Sequence, residues 1–323
     1  MKYYLVLDNK DDVAKMSFLN EGNIKIDFLL PKKHITNYFG LMSYCRQILR
    51  KTQKGDVIIF WYDFIGIMTA LLASVLFKKR HFVILNILLK NKNNFKNRFA
   101  RILYKKALKK KDVIATVTSE EYGHILKKRL NIGKDFYLLH DIYNIKSNNS
   151  FLERNYVFCG GRNGRDWAFL FELARSMSNV EFHAAMDRKS YEYYPKVPTN
   201  VKTYIDISSD EFLNEMGGSR LVVLPLNTDA PAGLLVMFQA AALGKAVIST
   251  NTPVTKEYLS CGRGLLCNND INEWKTALND YLINDDKRKK SSIEFKSFLD
   301  NYCSESYYRN QLFGILNNEV LLK

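Results

Sequence analysis

Two glycine-bearing stretches hold the residues that could do chemistry. One reads Gly160-Gly161-Arg162-Asn163-Gly164-Arg165-Asp166-Trp167 and follows the apolar run 156–159. Paired glycines behind a strand permit a tight turn and close backbone approach, and Arg162 and Arg165 could grip a diphosphate bidentately. The other is Pro231-Ala232-Gly233, which opens the Ala-rich run 234–243, a segment of good helix propensity. A helix starting behind Ala-Gly presents unpaired N–H groups and the positive end of its dipole, and the glycine lets a phosphate come close. The plainer alternative is a βαβ turn with glycine for geometry, since many such turns bind nothing. Both arginines are expected on a surface turn, with Asp166 capping the next helix and Trp167 in packing.

Those stretches need strands and helices to hold them. The run 220–225, the helix 234–243 and the run 246–250 make one parallel βαβ unit with a right-handed crossover. Gly244 sits where a left-handed C′ glycine would end the helix, and Asn251-Thr252-Pro253 is expected to close the strand. Further strands are expected at 180–184 and 202–205, a turn and strand across 261–267, and helices at 168–176, 208–216, 271–282 and through the tail 287–323. The N-terminal half alternates strands at 3–7, 24–29, 57–60, 82–85, 113–116 and 136–138 with helices at 38–51, 65–77, 95–108 and 119–129. Such alternation implies a doubly wound parallel sheet with ligands at the carboxyl ends of its strands. Asp8-Asn-Lys-Asp-Asp12 carries no glycine fingerprint, which argues against a nicotinamide or flavin dinucleotide in this half.

A chain of 323 residues suits two domains, and a hydrophobic share of 47% argues against long disorder. Five cysteines without CxxC spacing indicate neither a disulfide framework nor a zinc site, and point to a reducing cytosol. Cys261 and Cys267 are expected to be small buried residues. No secretory signal is visible, and the longest apolar stretch, 64–77, is too short to span a bilayer. The net charge of +15 is unevenly placed: residues 1–150 hold 28 Lys and Arg against 12 Asp and Glu, and residues 151–323 hold 20 against 21. An acidic partner, nucleic acid or anionic membrane, therefore belongs to the first half.

Gln239-Ala-Ala-Ala-Leu-Gly244-Lys-Ala-Val-Ile248 resembles the nucleotide-diphosphate-sugar site of the GT-B glycosyltransferases, in particular the large retaining family 4. There the pattern is Glu, seven residues, a second Glu, then Ala-x-Ala-x-Gly-x-Pro-Val-Ile. This sequence departs from it at Pro231 for the first Glu, Gln239 for the second, which holds the donor ribose, and Ala246 for the proline. Glu257 stands where the family often has another Glu. The turn 160–167 is similar to the family's glycine-arginine turn, in which an Arg and a later Lys or Arg neutralise the leaving diphosphate. The resemblance implies an α/β fold of two Rossmann-like domains with a cleft between them and C-terminal helices crossing back to the first. It implies an acceptor-binding domain at 1–148, a nucleotide-sugar-binding domain at 149–304 and a returning helix at 305–323, with 144–150 as linker. Arg162 and Arg165 would stabilise the leaving diphosphate, and Gly160, Gly161, Ala232, Gly233, Leu234, Gln239 and Glu257 would bind the donor. No metal or other cofactor is implied, since there is no Asp-x-Asp. Retention and hexosyl transfer are expected from the family. Its acceptor-domain His, which follows the fourth strand, is replaced near Asn86, and His140-Asp141 reads as a structural pair at the domain junction.

The segment 90–111, KNKNNFKNRFARILYKKALKKK, has no acid and places Phe95, Phe99 and Ile102 on one helical face. That stripe either packs on its own sheet or leaves Phe95 and Phe99 to insert shallowly into a bilayer, and in both cases Lys105, Lys106, Lys109 and Lys110 need a separate account. Similar helices in the acceptor domain dock members of the family on the inner membrane surface, so the resemblance implies a cytoplasmic, peripheral enzyme of surface polysaccharide assembly. Its partners would be a nucleotide sugar, a glycan or lipid-linked acceptor and an anionic membrane, with no specific nucleic acid. Two rival readings are a GT-B-type sugar-nucleotide epimerase, which needs paired carboxylates that the sequence lacks, and a non-catalytic scaffold with a degenerate donor site.

Overall fold

The computed structural model describes the backbone of residues 1–21, 24–91, 94–145 and 151–321, and their side chains as far as 319. Most of the expected linker 144–150, including the boundary at 148, lies outside the described residues. The chain divides into two compact units, one of Met1–Ile142 with Ser304–Lys323 and one of Tyr143–Cys303.

The first unit runs β1 (Tyr3–Val6), α1 (Asp11–Lys15), β2 (Ile26–Leu29), α2 (Tyr38–Lys51), β3 (Val57–Phe60) and α3 (Asp63–Val75). It continues with β4 (His81–Ile84), α4 (Phe95–Leu108), β5 (Val113–Val117), α5 (Glu120–Leu130) and β6 (Tyr137–Leu138). All six strands are parallel, in the order β2-β1-β3-β4-β5-β6. β3 is an unbroken apolar run and β5 is apolar apart from Thr116, and both are buried on both faces, as a parallel sheet covered by helices on both sides requires. Phe60 and Ile84 meet α3 at Gly66, where a Cβ would come within 3.0 Å of both side chains, so the glycine sets how closely helix and sheet approach.

The second unit runs β7 (Val157–Gly160), α6 (Trp167–Ser176), β8 (Phe182–Met186), α7 (Arg188–Tyr193), β9 (Val201–Ile205) and α8 (Ser209–Gly218). Then come β10 (Leu221–Leu224), α9 (Leu234–Ala242), β11 (Val247–Thr250), α10 (Pro253–Leu259), β12 (Leu265–Cys267), α11 (Ile271–Ile283) and α12 (Asp285–Tyr302). Its parallel sheet has the order β12-β11-β10-β7-β8-β9. One face packs Trp167 and Leu170 of α6 with Trp274, Leu278 and Tyr281 of α11. After α12 the chain returns to the first unit as α13 (Glu305–Leu316). Leu5, Leu7, Val57, Ile59, Val83 and Leu85, alternate residues of three strands or strand ends, share a core with Tyr308, Leu312 and Leu316 of α13.

The strands and helices expected from the sequence lie within two residues of those found, apart from the short elements. Asn251-Thr252-Pro253 does not simply close β11. Thr252 caps α10 through Thr255 in a capping box, and Pro253 sits in the first turn, where its missing N–H costs nothing. α7, capped by Asp187, and α1 are too short to show a helical period. Cys261 is exposed in a left-handed conformation, φ 61°, rather than buried, while Cys267 is buried. On α4 the buried residues are Tyr104, Ala107 and Leu108, whereas Phe95 is 86% and Phe99 53% exposed, so the Phe95/Phe99/Ile102 stripe does not pack on the sheet.

Candidate functional site

In the second sheet the strand order reverses between β7 and β10, and the loops after these two strands carry the two glycine-bearing stretches. This reversal is the place where open α/β sheets take ligands. The loops are stitched together: Asp166 donates its N–H to the Pro225 carbonyl at 2.9 Å, and Asn227 donates to that of Gly164 at 3.0 Å. A Cβ on Gly164, at φ 70°, would stand 2.6 Å from Thr228, so only glycine lets the loops meet.

Arg165 is the centre of this junction. It is only 6% exposed, not on a surface turn as the sequence led us to expect. Its Nε donates to the Gly160 carbonyl at 2.6 Å and its Nη1 to that of Asn163 at 3.2 Å. Among the described residues no carboxylate pairs with it. Burial lowers its pKa from the usual arginine value, and burial likewise pushes the neighbouring Cys159 thiol up to about 12, so no thiolate balances the charge. A Cβ on Gly161, at φ 114°, would lie 2.6 Å from Nη2, and one on Gly233, at φ 83°, 3.5 Å from Nη1. The glycine at 161 therefore makes room for the guanidinium first, and both hold backbone conformations that L side chains rarely adopt.

A cavity of about 460 Å³ opens beside this junction, lined by Gly161, Arg162, Arg165, Gly233 and Gln239. Gly233 is the left-handed N-cap of α9, whose first intrahelical bond runs from the Met237 N–H to the Gly233 carbonyl. The amides before Met237 are thus open at the positive end of the helix. Arg162 is exposed, and its charge helps hold the Asp187 carboxyl below the usual range, after the bond from the Ser190 side chain, which lowers it most. Gly160, Ala232, Leu234 and Glu257 do not line the cavity. Gly160 leaves room for Phe212, whose ring would stand 2.5 Å from a Cβ there. Glu257 lies on α10, where its carbonyl accepts from Arg263.

The far wall escaped the sequence reading. It consists of Ala185, Met186 and Asp187 at the end of β8, Asp206 and Ser208 after β9, and Phe212 of α8. Asp206 holds φ 51° and accepts from the Arg188 N–H at 3.2 Å, and Ser208 forms a capping box with Glu211. These are ordinary cap and turn residues by sequence. Their position at strand tips next to the reversal was the available signal.

In the first unit, Asn86 follows β4 with φ 44° and donates through Nδ2 to Asp141 Oδ1 at 2.7 Å. Burial raises the Asp141 pKa to about 6, against the opposing pull of the Asn86 bond and the charge of His140. Lys105 and Lys106 lie in the last turn of α4 and Lys109 is its C-cap, where cations suit the helix dipole. Lys110 donates to the Ser74 hydroxyl at the end of α3. Among the described residues no helix is long and apolar enough to cross a membrane, and no group of three His, Cys, Asp or Glu could hold a metal ion.

No protein-family model matches the chain, and no curated protein matches it. Among solved structures it is similar to a sucrose-phosphate synthase of Thermosynechococcus elongatus, with TM-score 0.73 and 11% identity over 100% of each chain. It is similar to HepE of Anabaena in complex with UDP, with TM-score 0.72 and 12% identity over 98% of this chain and 100% of that one. A glycosyltransferase from Rickettsia africae gives 0.62 and 14% over 99% of each. At such identities the likeness carries the architecture, and the chain has the GT-B fold of two Rossmann-like domains.

Proposed function

We propose that the chain is a glycosyltransferase that takes a sugar from a nucleotide-diphosphate sugar and passes it to a glycan or lipid-linked glycan acceptor in surface polysaccharide assembly. One observation carries the reading: Arg165 is a buried cation that no carboxylate among the described residues pairs with, and it faces a cavity at the open end of α9. An unpaired buried charge is costly, and an anionic ligand would remove that cost. The structure of HepE with UDP supports the choice of a nucleotide as that anion.

In this reading the diphosphate lies between Arg165, Arg162 and the first-turn amides of α9, with Gln239 bonding the ribose as donor or acceptor. The bond from the anomeric carbon to the phosphate oxygen breaks, and its electron pair leaves with the diphosphate. The acceptor hydroxyl oxygen forms the new bond to the anomeric carbon, and its proton passes to the leaving diphosphate oxygen. The charge on the leaving oxygen grows through this step, so the two arginines and the helix end stabilise the transition state more than the ground state. Retention of configuration and a place in family 4 follow from the motif resemblance. The basic first unit would bind the acceptor and hold the enzyme peripherally at the cytoplasmic membrane face.

The test is a melting screen with uridine, guanosine, adenosine and cytidine diphosphate sugars. One of them at about a hundred times its Kd is expected to stabilise the protein by about 2.7 kcal/mol. A flat response to the whole panel would sink the donor site.

A further inference from the structure

A second cavity, of about 580 Å³, lies wholly in the first unit, where the starts of α2, α3 and α4 meet. Tyr38, Phe64, Leu88, Phe95, Phe99 and Tyr104 give it an apolar lining, and Lys90 and Lys96 contribute cations. The rings of Phe64 and Tyr104 stack at 6.5 Å. The one carboxyl in the lining, Asp63, accepts from the Leu88 N–H at 2.8 Å, and burial raises its pKa. That bond uses part of its hydrogen-bonding capacity, and burial disfavours its charged form beside an anion. Tyr38, Leu88, Phe95 and Phe99 are all more than two-fifths exposed. Large apolar side chains gathered at the mouth of a cavity of ligand size mark a binding site rather than a core.

We propose that this cavity binds a membrane-borne amphiphile with a phosphate head, taking its apolar chain between the aromatic rings while Lys90 and Lys96 pair with the phosphate. The occupant follows from charge and polarity together. The segment 90–111 has no acid, so its field favours an anion, and the lining between its cations favours hydrocarbon. Free phosphate would satisfy the lysines and leave the aromatic mouth in water. A neutral lipid would leave the lysines without a counter-charge. The site deepens the lipid-linked acceptor reading above and rests on it for its biological meaning, but its test involves neither nucleotide nor turnover.

The experiment is calorimetric titration of the full chain with octyl, decyl and dodecyl phosphate below their micellar concentrations, with dodecyl maltoside and inorganic phosphate as controls. Saturable one-to-one binding is expected, tightening about fourfold per added methylene until the cavity is full. Lys90→Glu with Lys96→Glu is expected to weaken dodecyl phosphate at least tenfold, as loss of charged hydrogen bonds would. Ala100→Trp is expected to abolish binding by filling the cavity, and Phe95→Ser, at a position in solvent, to flatten the chain-length dependence without risk to the fold. Affinity independent of chain length, inorganic phosphate competing as well as dodecyl phosphate, equal binding of the maltoside, or affinity unchanged in Phe95→Ser and the double lysine variant would each overturn the assignment. The nucleotide melting screen reports separately on the donor site, so failure of one does not imply failure of the other.

Discussion

At Arg165 the guanidinium gives N–H groups to the carbonyls of Gly160 and Asn163 and keeps the rest of its edge toward the cavity. Arg162, on the same turn, is in solvent. The two should therefore respond differently to replacement. Arg162→Ala is expected to weaken nucleotide diphosphate binding by roughly 1.5–3 kcal/mol, the scale of a charged hydrogen bond, with an unchanged denaturation midpoint. Arg165→Ala should lose binding and also about 1–3 kcal/mol of stability, because it strips two carbonyls of their donors. Calorimetry and urea denaturation on both variants separate these outcomes, and identical behaviour of the pair would contradict the burial difference. Asp141 offers a pH test. Its folded-state pKa of about 6 lies above the ordinary value near 3.8, so the native state holds the proton more tightly than the unfolded chain. That contribution is fully present below about pH 4 and is lost as the pH rises through 6. Asp141→Asn should flatten the stability curve between pH 4 and 7 by roughly 1–2 kcal/mol relative to the parent. A parallel pair of curves would show that the carboxyl does not titrate there.

Among the elements, α12 depends on a charged clamp at its first turns. Glu153 accepts from both terminal nitrogens of buried Arg288, at 2.8 and 2.9 Å, and lies 3.6 Å from Lys245, while Arg220 donates to Asp285 at 2.5 Å. Burial alone would raise the Glu153 pKa, but the Arg288 bonds and the charges of Arg288, Lys245 and Arg220 outweigh it and hold the carboxyl low. Glu153→Gln leaves those cations short of a partner and should cost about 2 kcal/mol, less than a fully buried pair because the carboxylate is partly in water. A depressed pKa places this stabilisation above the ordinary carboxylate range and removes it as the pH falls, so the variant should differ from the parent at pH 7 and converge with it near pH 3 in urea denaturation. Elements of this length were legible beforehand because their signals are repetitive. α2, β3 and α4 begin and end where periodicity and caps place them. What sequence could not give was orientation. On α4 the pattern identifies an apolar stripe, yet the face that meets the sheet carries Tyr104, Ala107 and Leu108, since α3 and α5 on either side decide which face is covered. The same holds for the cavity: the turn 160–167 and the start of α9 were readable as motifs, while Asp206 and Phe212 enter only because β8 and β9 stand next to β7 in the sheet.

For the molecule as a whole, both connectivity and charge make the first unit unusual. It is discontinuous: α13 supplies Tyr308, Leu312, Ile315 and Leu316 to a core otherwise built before residue 143. Each such side chain is worth about 1.5–3 kcal/mol when fully buried, so a chain ending at Cys303 should unfold in its first unit. Its second unit should remain folded and resist protease, and a single shared transition in calorimetry would contradict that independence. The same first unit carries the excess of cations. Apolar side chains stand in solvent beside them, Phe77 at 93% exposure next to Lys78 and Lys79, and Phe95 and Phe99 among the cations of α4. An anionic bilayer would answer both features, with about 1 kcal/mol for each cation near the surface and a further contribution from shallow insertion of the rings. The two contributions differ in their response to salt, because screening weakens only the first. Co-sedimentation with neutral and anionic vesicles, at low and high salt, should therefore recover the protein on anionic vesicles and leave a salt-resistant fraction. Replacing Lys105, Lys106, Lys109 and Lys110 together by Glu should remove the salt-sensitive part, and Phe95→Ser with Phe99→Ser the resistant part. Equal recovery from neutral and anionic vesicles, or no loss in the four-lysine variant, would mean that α4 meets water rather than a membrane.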